Sequence, residues 1–160
     1  MTQNLSVMIV GGGAREHAIS HAYEKSPQVD RIIVAPGNDF IGYRRIKDVI
    51  VDKDCSVNNP QSLLRIAQKY RPDLVDIAQD DALAMGTADL LLEKGFSVFG
   101  PTKDAARIEW DKRWSREFMQ RHQIPHPNFR YFSSEEEGIK YVNKLYEEKP
   151  SKPLYVKATE

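Results

Sequence analysis

The densest chemistry in the chain lies near its start, where the apolar run Val7-Met8-Ile9-Val10 passes directly into Gly11-Gly12-Gly13-Ala14-Arg15-Glu16-His17. A buried strand that ends in glycines and turns into a helix presents backbone N–H groups to an anion, and the helix N-terminus favours negative charge. The glycines permit the tight turn and a close ligand approach. Arg15, Glu16 and His17 then put three ionisable side chains in the first helical turn. Arg15 can face a phosphate or pair with a carboxylate. Glu16 can contact a ligand or complement the helix dipole, an effect of roughly 0.3–1 kcal/mol. His17 reads as a hydrogen-bonded structural histidine rather than a catalyst. The dinucleotide fingerprint G-x-G-x-x-G would put glycine where Glu16 stands. Further along, Asn38 follows Pro36-Gly37 in a turn and Asp80 follows an apolar run, where it can contact a ligand or cap a helix. Lys112 sits among Asp111, Arg113 and Arg116, the pattern of a solvated helix face, whereas Lys157 lies in an apolar segment where a buried ammonium would require a partner.

The elements that must position these residues alternate. Apolar runs at 5–10, 31–35, 49–51, 74–78 and 96–99 read as strands. Helical patterns occupy 14–25, 60–70 with Pro60 at its start, and 82–94 closed by Gly95. Strand–helix alternation over the first hundred residues predicts an α/β fold, an open and mostly parallel sheet with helices on both faces. Ligands of such sheets collect at the carboxyl ends of the strands. Those ends are the glycine turn, Pro36-Gly37-Asn38, Ala78-Gln79-Asp80 and Gly100-Pro101-Thr102. The character changes after Pro101. Helices are predicted at 103–108 and 110–122, the second carrying Trp110 and Trp114 on one face. An extended segment follows at 129–132. Ser134 and Glu137 form a capping box for a helix to about 148, and 154–157 begins another strand. Two domains are therefore expected, 1–101 and 102–160, the second incomplete.

Composition narrows the class. Lysine plus arginine equals aspartate plus glutamate at 23 each, so charge points to neither nucleic acid nor an anionic membrane. The only cysteine, Cys55, excludes an internal disulfide and fits a reducing compartment, which makes the cytoplasm the expectation. No apolar run approaches the roughly 20 residues of a membrane span.

In this order and spacing, the sequence resembles the phosphoribosylamine–glycine ligase family, ATP-grasp enzymes of purine biosynthesis. The resemblance rests on Val10-Gly11-Gly12-Gly13-Ala14-Arg15-Glu16-His17-Ala18, on Val34-Ala35-Pro36-Gly37-Asn38, on Phe99-Gly100-Pro101-Thr102 with Ala105-Ala106, Glu109 and Lys112, and on Val156-Lys157-Ala158. It implies a Rossmann-like substrate domain (the pre-ATP-grasp domain) at 1–101. Linker helices and the opening of an ATP-grasp domain would follow at 102–160. The implied reaction joins 5-phosphoribosylamine to glycine through a glycyl phosphate, with ATP becoming ADP and phosphate and Mg2+ as the metal. Gly11, Gly12, Gly13, Arg15, Glu16, Asn38 and Asp80 would contact substrate, and Lys112 and Lys157 the ATP phosphates. No catalytic or metal-ligating residue is implied within the chain. The family's flap and metal carboxylates come later, on segments expected to pack on this one, so the chain alone is expected not to turn over.

Two stretches depart from the family pattern: Ala78-Gln79-Asp80 replaces Gly-Pro-Glu, and Trp110-Asp111-Lys112 replaces Gly-Ser-Lys. The competing reading is a non-catalytic phosphosugar- or nucleotide-binding module of the same fold. A Rossmann oxidoreductase fits worse, because Glu16 and Ala35-Pro36 stand where it needs a glycine and a ribose-binding acid.

Overall fold

A computed structural model of the chain describes residues 4–151 and 153–157. Its contacts divide it into two compact units, 1–110 and 111–160.

The first unit is built on five parallel strands: β1 (Leu5–Gly11), β2 (Val29–Pro36), β3 (Asp48–Val51), β4 (Leu74–Ile77) and β5 (Val98–Phe99), in the order β3-β2-β1-β4-β5. Val10 lies opposite Ala35 on one side and Ile77 on the other, so the ends of β1, β2 and β4 are level. Met8, Ile9 and Val10 are fully buried, as a central strand covered on both faces requires.

The chain leaves β1 toward β2 but crosses back from β3 to β4, and right-handed crossovers then put the intervening helices on opposite faces. The two apolar clusters follow this division. Helix α1 (Ala14–Lys25) covers Val7, Ile9, Ile32 and Val34 with Ile19 and Tyr23. The opposite face carries Met8, Val10, Ile33 and Val75 against α2 (Pro60–Tyr70), α3 (Asp80–Ala84), α4 (Thr87–Glu93) and α5 (Lys103–Trp110). Asn59 caps α2, its side chain accepting from the Ser62 N–H at 3.2 Å. The first unit extends past Pro101 because α5 packs on α3 and α4, with Ala106 in the core.

Several local expectations change. The single helix at 82–94 is two, broken at Gly86, whose φ of +80° belongs to the left-handed region. The helix expected at 110–122 begins instead at Lys112, because Asp111 adopts an extended conformation and its side chain accepts from the Trp114 N–H at 2.9 Å. Trp110 and Trp114 therefore belong to different helices.

In the second unit, α6 (Lys112–Arg121) and α7 (Glu135–Glu148) are joined by a segment held by rings and cations: Arg113 lies 4.1 Å from the Tyr131 ring centre and Arg130 4.5 Å from that of Tyr141. Ser134 caps α7 as expected, accepting from the Glu137 N–H. Residues 129–132 and 153–157 are not strands, since no neighbouring strand among the described residues takes their backbone groups. Lys152 and Ala158 lie outside the described residues.

Candidate functional site

In the order β3-β2-β1-β4-β5 the connections from β1 and from β4 run in opposite directions, so a crevice opens at their carboxyl ends. Gly11 ends β1 with a φ of +128°, and Gly13 is the N-cap of α1. Close approach explains the glycines. A Cβ on Gly12 would lie 2.6 Å from the Gly37 carbonyl oxygen, and one on Gly11 would lie 2.7 Å from the Glu16 side chain.

Glu16 does what the turn leaves room for. Its side chain folds back over Gly11, and Oε2 accepts the Gly13 N–H at 2.7 Å. The residue is only 2% exposed, and Oε1 is buried with no hydrogen-bond partner. The α1 N-terminus therefore already carries a carboxylate on one of its free N–H groups. An incoming phosphate meets this turn with Glu16 in place, which reduces the cradle read from the three glycines alone.

Asn38 ties the neighbouring loop to the turn. Its Nδ2 donates to the Gly12 carbonyl at 2.7 Å, its Oδ1 accepts the Phe40 N–H at 2.9 Å, and the Gly37 N–H donates to the Gly11 carbonyl at 3.0 Å. Farther along this loop, Arg45 is almost wholly buried against Glu24 of α1 at 3.0 Å. Burial acts to raise the Glu24 pKa, but the Ile46 and Lys47 N–H groups and the Arg45 charge outweigh it and hold the group below its ordinary value.

Arg15 crosses the crevice. Its Nη1 donates to Asp80 Oδ1 at 3.1 Å and to the Ala78 carbonyl just past β4. Both side chains stay accessible, 52% and 41% exposed. The hydrogen bond and charge of Asp80 raise the Arg15 pKa, and Glu16 and Glu109 act in the same direction. Asp80 is thus not the helix cap: Gln79 holds that position, and Asp80 opens α3 with its carboxylate turned to Arg15. The structure brings Gly11, Gly12, Gly13, Arg15, Glu16, Asn38 and Asp80 to one set of strand ends.

Lys112 and Lys157 are both exposed, and Lys157 lies outside any strand, so its ammonium is in water rather than buried. Among the described residues no three or more His, Cys, Asp or Glu side chains gather as a metal site. Burial pushes the Cys55 thiol up to about 11, which keeps it protonated and unreactive at neutral pH. His17 stacks on His21 with ring centres 5.0 Å apart.

Beside the Arg45–Glu24 pair, a second buried polar pair escaped the sequence reading. Asp76, 5% exposed on β4, accepts the Tyr23 hydroxyl at 2.8 Å. Burial raises the Asp76 pKa, with Tyr23 opposing and Glu16 adding to the rise. The available signal was a charged residue inside Leu74-Val75-Asp76-Ile77, since a buried carboxyl demands a partner.

Sheet order and site together define the class: a doubly wound parallel α/β ligand-binding domain with its crevice at the β1/β4 switch point. Solved structures share the fold. N5-carboxyaminoimidazole synthetase from Staphylococcus aureus complexed with ADP superposes at a TM-score of 0.61 with 14% identity, over 89% of this chain and 36% of that one. Residues 5–109 match the phosphoribosylglycinamide synthetase N domain, and the chain belongs to that family. It is 36% identical over 157 residues to the phosphoribosylamine–glycine ligase of Methanopyrus kandleri, covering 96% of this chain and 33% of the relative. The Methanocella arvoryzae ligase is 37% identical over 140 residues, covering 86% and 32%. The chain thus spans about a third of the length of the curated relatives it matches. Among the described residues no helix is long and apolar enough to cross a membrane.

Proposed function

We propose that this chain supplies the substrate-binding portion of a phosphoribosylamine–glycine ligase acting in the cytoplasm. In the whole reaction the glycine carboxylate takes the γ-phosphoryl group of ATP and ADP leaves. The amine of 5-phosphoribosylamine then attacks the acyl carbon, and phosphate departs. Residues 1–101 form the substrate domain in this reading, and 102–160 the linker helices and the opening of the ATP-grasp domain.

The observation that carries the assignment is the guanidinium of Arg15, set across the β1/β4 crevice beside Gly11, Gly12, Gly13 and Asn38. A cation in that position suits the substrate's phosphate, because guanidinium–phosphate hydrogen bonds are short and strong. The accessible carboxylate of Asp80 suits its amine and hydroxyls, while Glu16, held on the Gly13 N–H, shapes the turn. Lys112 and Lys157, exposed on the second unit, are free to meet ATP phosphates. In this reading Mg2+ is held by later segments of the ligase, which also pack on this portion. No residue here receives a proton-transfer or nucleophilic role.

The test is a chimera. This chain replaces the matching third of the Methanopyrus kandleri ligase, and ADP release is followed with and without glycine and phosphoribosylamine. The reading predicts release that needs both substrates and falls at least tenfold in Arg15→Gln. A folded chimera that turns over equally well with Arg15→Gln would overturn it.

A further inference from the structure

At the amino ends of the strands, opposite the crevice, the first unit has a second opening. Between α1 and the start of β4 lies a cavity of about 600 Å3, walled by Leu5, Val7, Ile19, Val29 and Leu74. Small-molecule sites are of this size and this kind, mostly apolar with a few placed polar groups. Here the placed group is Asp76. It is 5% exposed, it lines the cavity, and its Oδ2 accepts the Tyr23 hydroxyl at 2.8 Å. Oδ1 takes no hydrogen bond from any described residue, and unlike Glu16 Oε1 it is not sealed off. A carboxyl nine-tenths buried, with an unused oxygen at a cavity wall, calls for a donor. Among the described residues the lining includes no Lys, Arg or His. Its other carboxylate, Asp73, is already taken by the Ser6 N–H and hydroxyl at 2.7 and 2.9 Å.

We infer that this cavity is a binding site for a small organic amine, with the ammonium on Asp76 Oδ1 and an aliphatic or aromatic body against Ile19, Tyr23 and Leu74. Charge decides the class. Asp73 and Asp76 repel an anion, so a sugar phosphate has no place here. A neutral hydroxyl can donate to Oδ1, but only a cation also offsets the buried charge. Hydrogen bonds with an ionised partner are roughly twice as strong as neutral ones. Burial raises the Asp76 pKa and Glu16 adds to the rise, so the ionised form is held at a cost that an ammonium relieves. Tyr23 sets the geometry. Burial and Asp76 both raise its pKa, so its hydroxyl stays a donor, pins Oδ2 and leaves Oδ1 for the ligand.

The experiment is an amide chemical-shift titration of the 160-residue chain with phenethylamine, with phenethyl alcohol as the neutral isostere and ribose 5-phosphate as the anion. The amine is expected to give saturable shifts at the amides of Tyr23, Leu74 and Asp76, and the alcohol to bind about tenfold more weakly. Asp76→Asn keeps the shape and an acceptor for Tyr23. It should weaken the amine about tenfold to a hundredfold and leave the alcohol within about threefold. Ala22 is exposed on α1 at the cavity rim, so Ala22→Trp covers the mouth without touching the charge and should weaken both ligands at least about tenfold. Equal affinity for amine and alcohol, or an amine affinity that survives Asp76→Asn, overturns the ammonium–carboxylate pairing. The site itself is overturned by the absence of saturable shifts at about 10 mM amine, by undiminished binding in Ala22→Trp, or by ribose 5-phosphate shifting these amides.

Discussion

Replacing Gly12 with alanine puts a methyl group where backbone already is: its Cβ would lie 2.6 Å from the Gly37 carbonyl oxygen and 3.0 Å from the carbonyl carbon. Neither atom is the end of a flexible side chain, so the ends of β1 and β2 must part. Overpacking of this kind costs about 1–3 kcal/mol. Parting the strands also stretches the Asn38–Gly12 and Gly37–Gly11 hydrogen bonds, at 2.7 and 3.0 Å, each contributing about 0.5–1.5 kcal/mol. The unfolded chain loses some entropy on gaining a methyl group, which returns about 0.4–1 kcal/mol. The net expectation is a loss of roughly 2–4 kcal/mol. With a urea slope of about 2 kcal/mol/M, the midpoint falls by about 1–2 M. Far-UV circular dichroism through a urea series measures it. Gly95→Ala is the control: its φ of +82° strains an alanine, but nothing lies within 4 Å, so about 1–2 kcal/mol is lost without touching the crevice. Gly12→Ala should also abolish ribose 5-phosphate binding, which Gly95→Ala should keep. A Gly12→Ala protein with the wild-type midpoint would refute the close-approach argument.

Asn38→Ala removes two hydrogen bonds that hold the loop to the turn, and a loss of about 1–3 kcal/mol in urea melts is expected. Glu24→Ala strands the buried Arg45 guanidinium and should cost about 3–5 kcal/mol at neutral pH. Because the Glu24 pKa is lowered on folding, that stabilisation is present above its ordinary value of 4.5 and is lost as pH falls through the lower folded value, so stability curves of wild type and variant converge in acid. Asp76 has the opposite sign: its pKa is raised on folding, so its penalty appears as pH rises from its ordinary 3.8 through the folded value. Asp76→Asn should accordingly be more stable than wild type above that window and not below it, as measured by thermal melts across pH. The purified chain should show no glycine-dependent ADP release in a coupled assay.

How far the sequence carried the fold is clearest at β1. Val7 to Val10 could be read at once as a central strand because it is apolar on both faces, and helix α2 was bounded correctly because Pro60 and its apolar spacing sit inside it. The break at Gly86 was hidden because Leu and Ala keep helical spacing across it, and periodicity does not register a single residue leaving the helix, whereas the break between the next two helices was expected near 109 and lies at Asp111. At the site, residue types were legible but their pairings were not. Arg15 was expected to meet a phosphate or a carboxylate, and which carboxylate depends on the β1–β4 neighbourhood, which local pattern does not encode. The return of Glu16 over Gly11 likewise depends on a side-chain direction that spacing leaves open. Arg45 and Tyr23 gave no signal, since their partners Glu24 and Asp76 lie far away in sequence.

The central claim is that the β1/β4 crevice, and no other surface of the first unit, receives the sugar phosphate. Amide chemical-shift mapping of the labelled chain during a ribose 5-phosphate titration tests it most directly. The account predicts that the amides of Gly12, Gly13, Arg15, Asn38 and Asp80 move together with one dissociation constant. Saturable shifts confined to residues away from these strand ends, such as those around Tyr23 and Leu74, would contradict it.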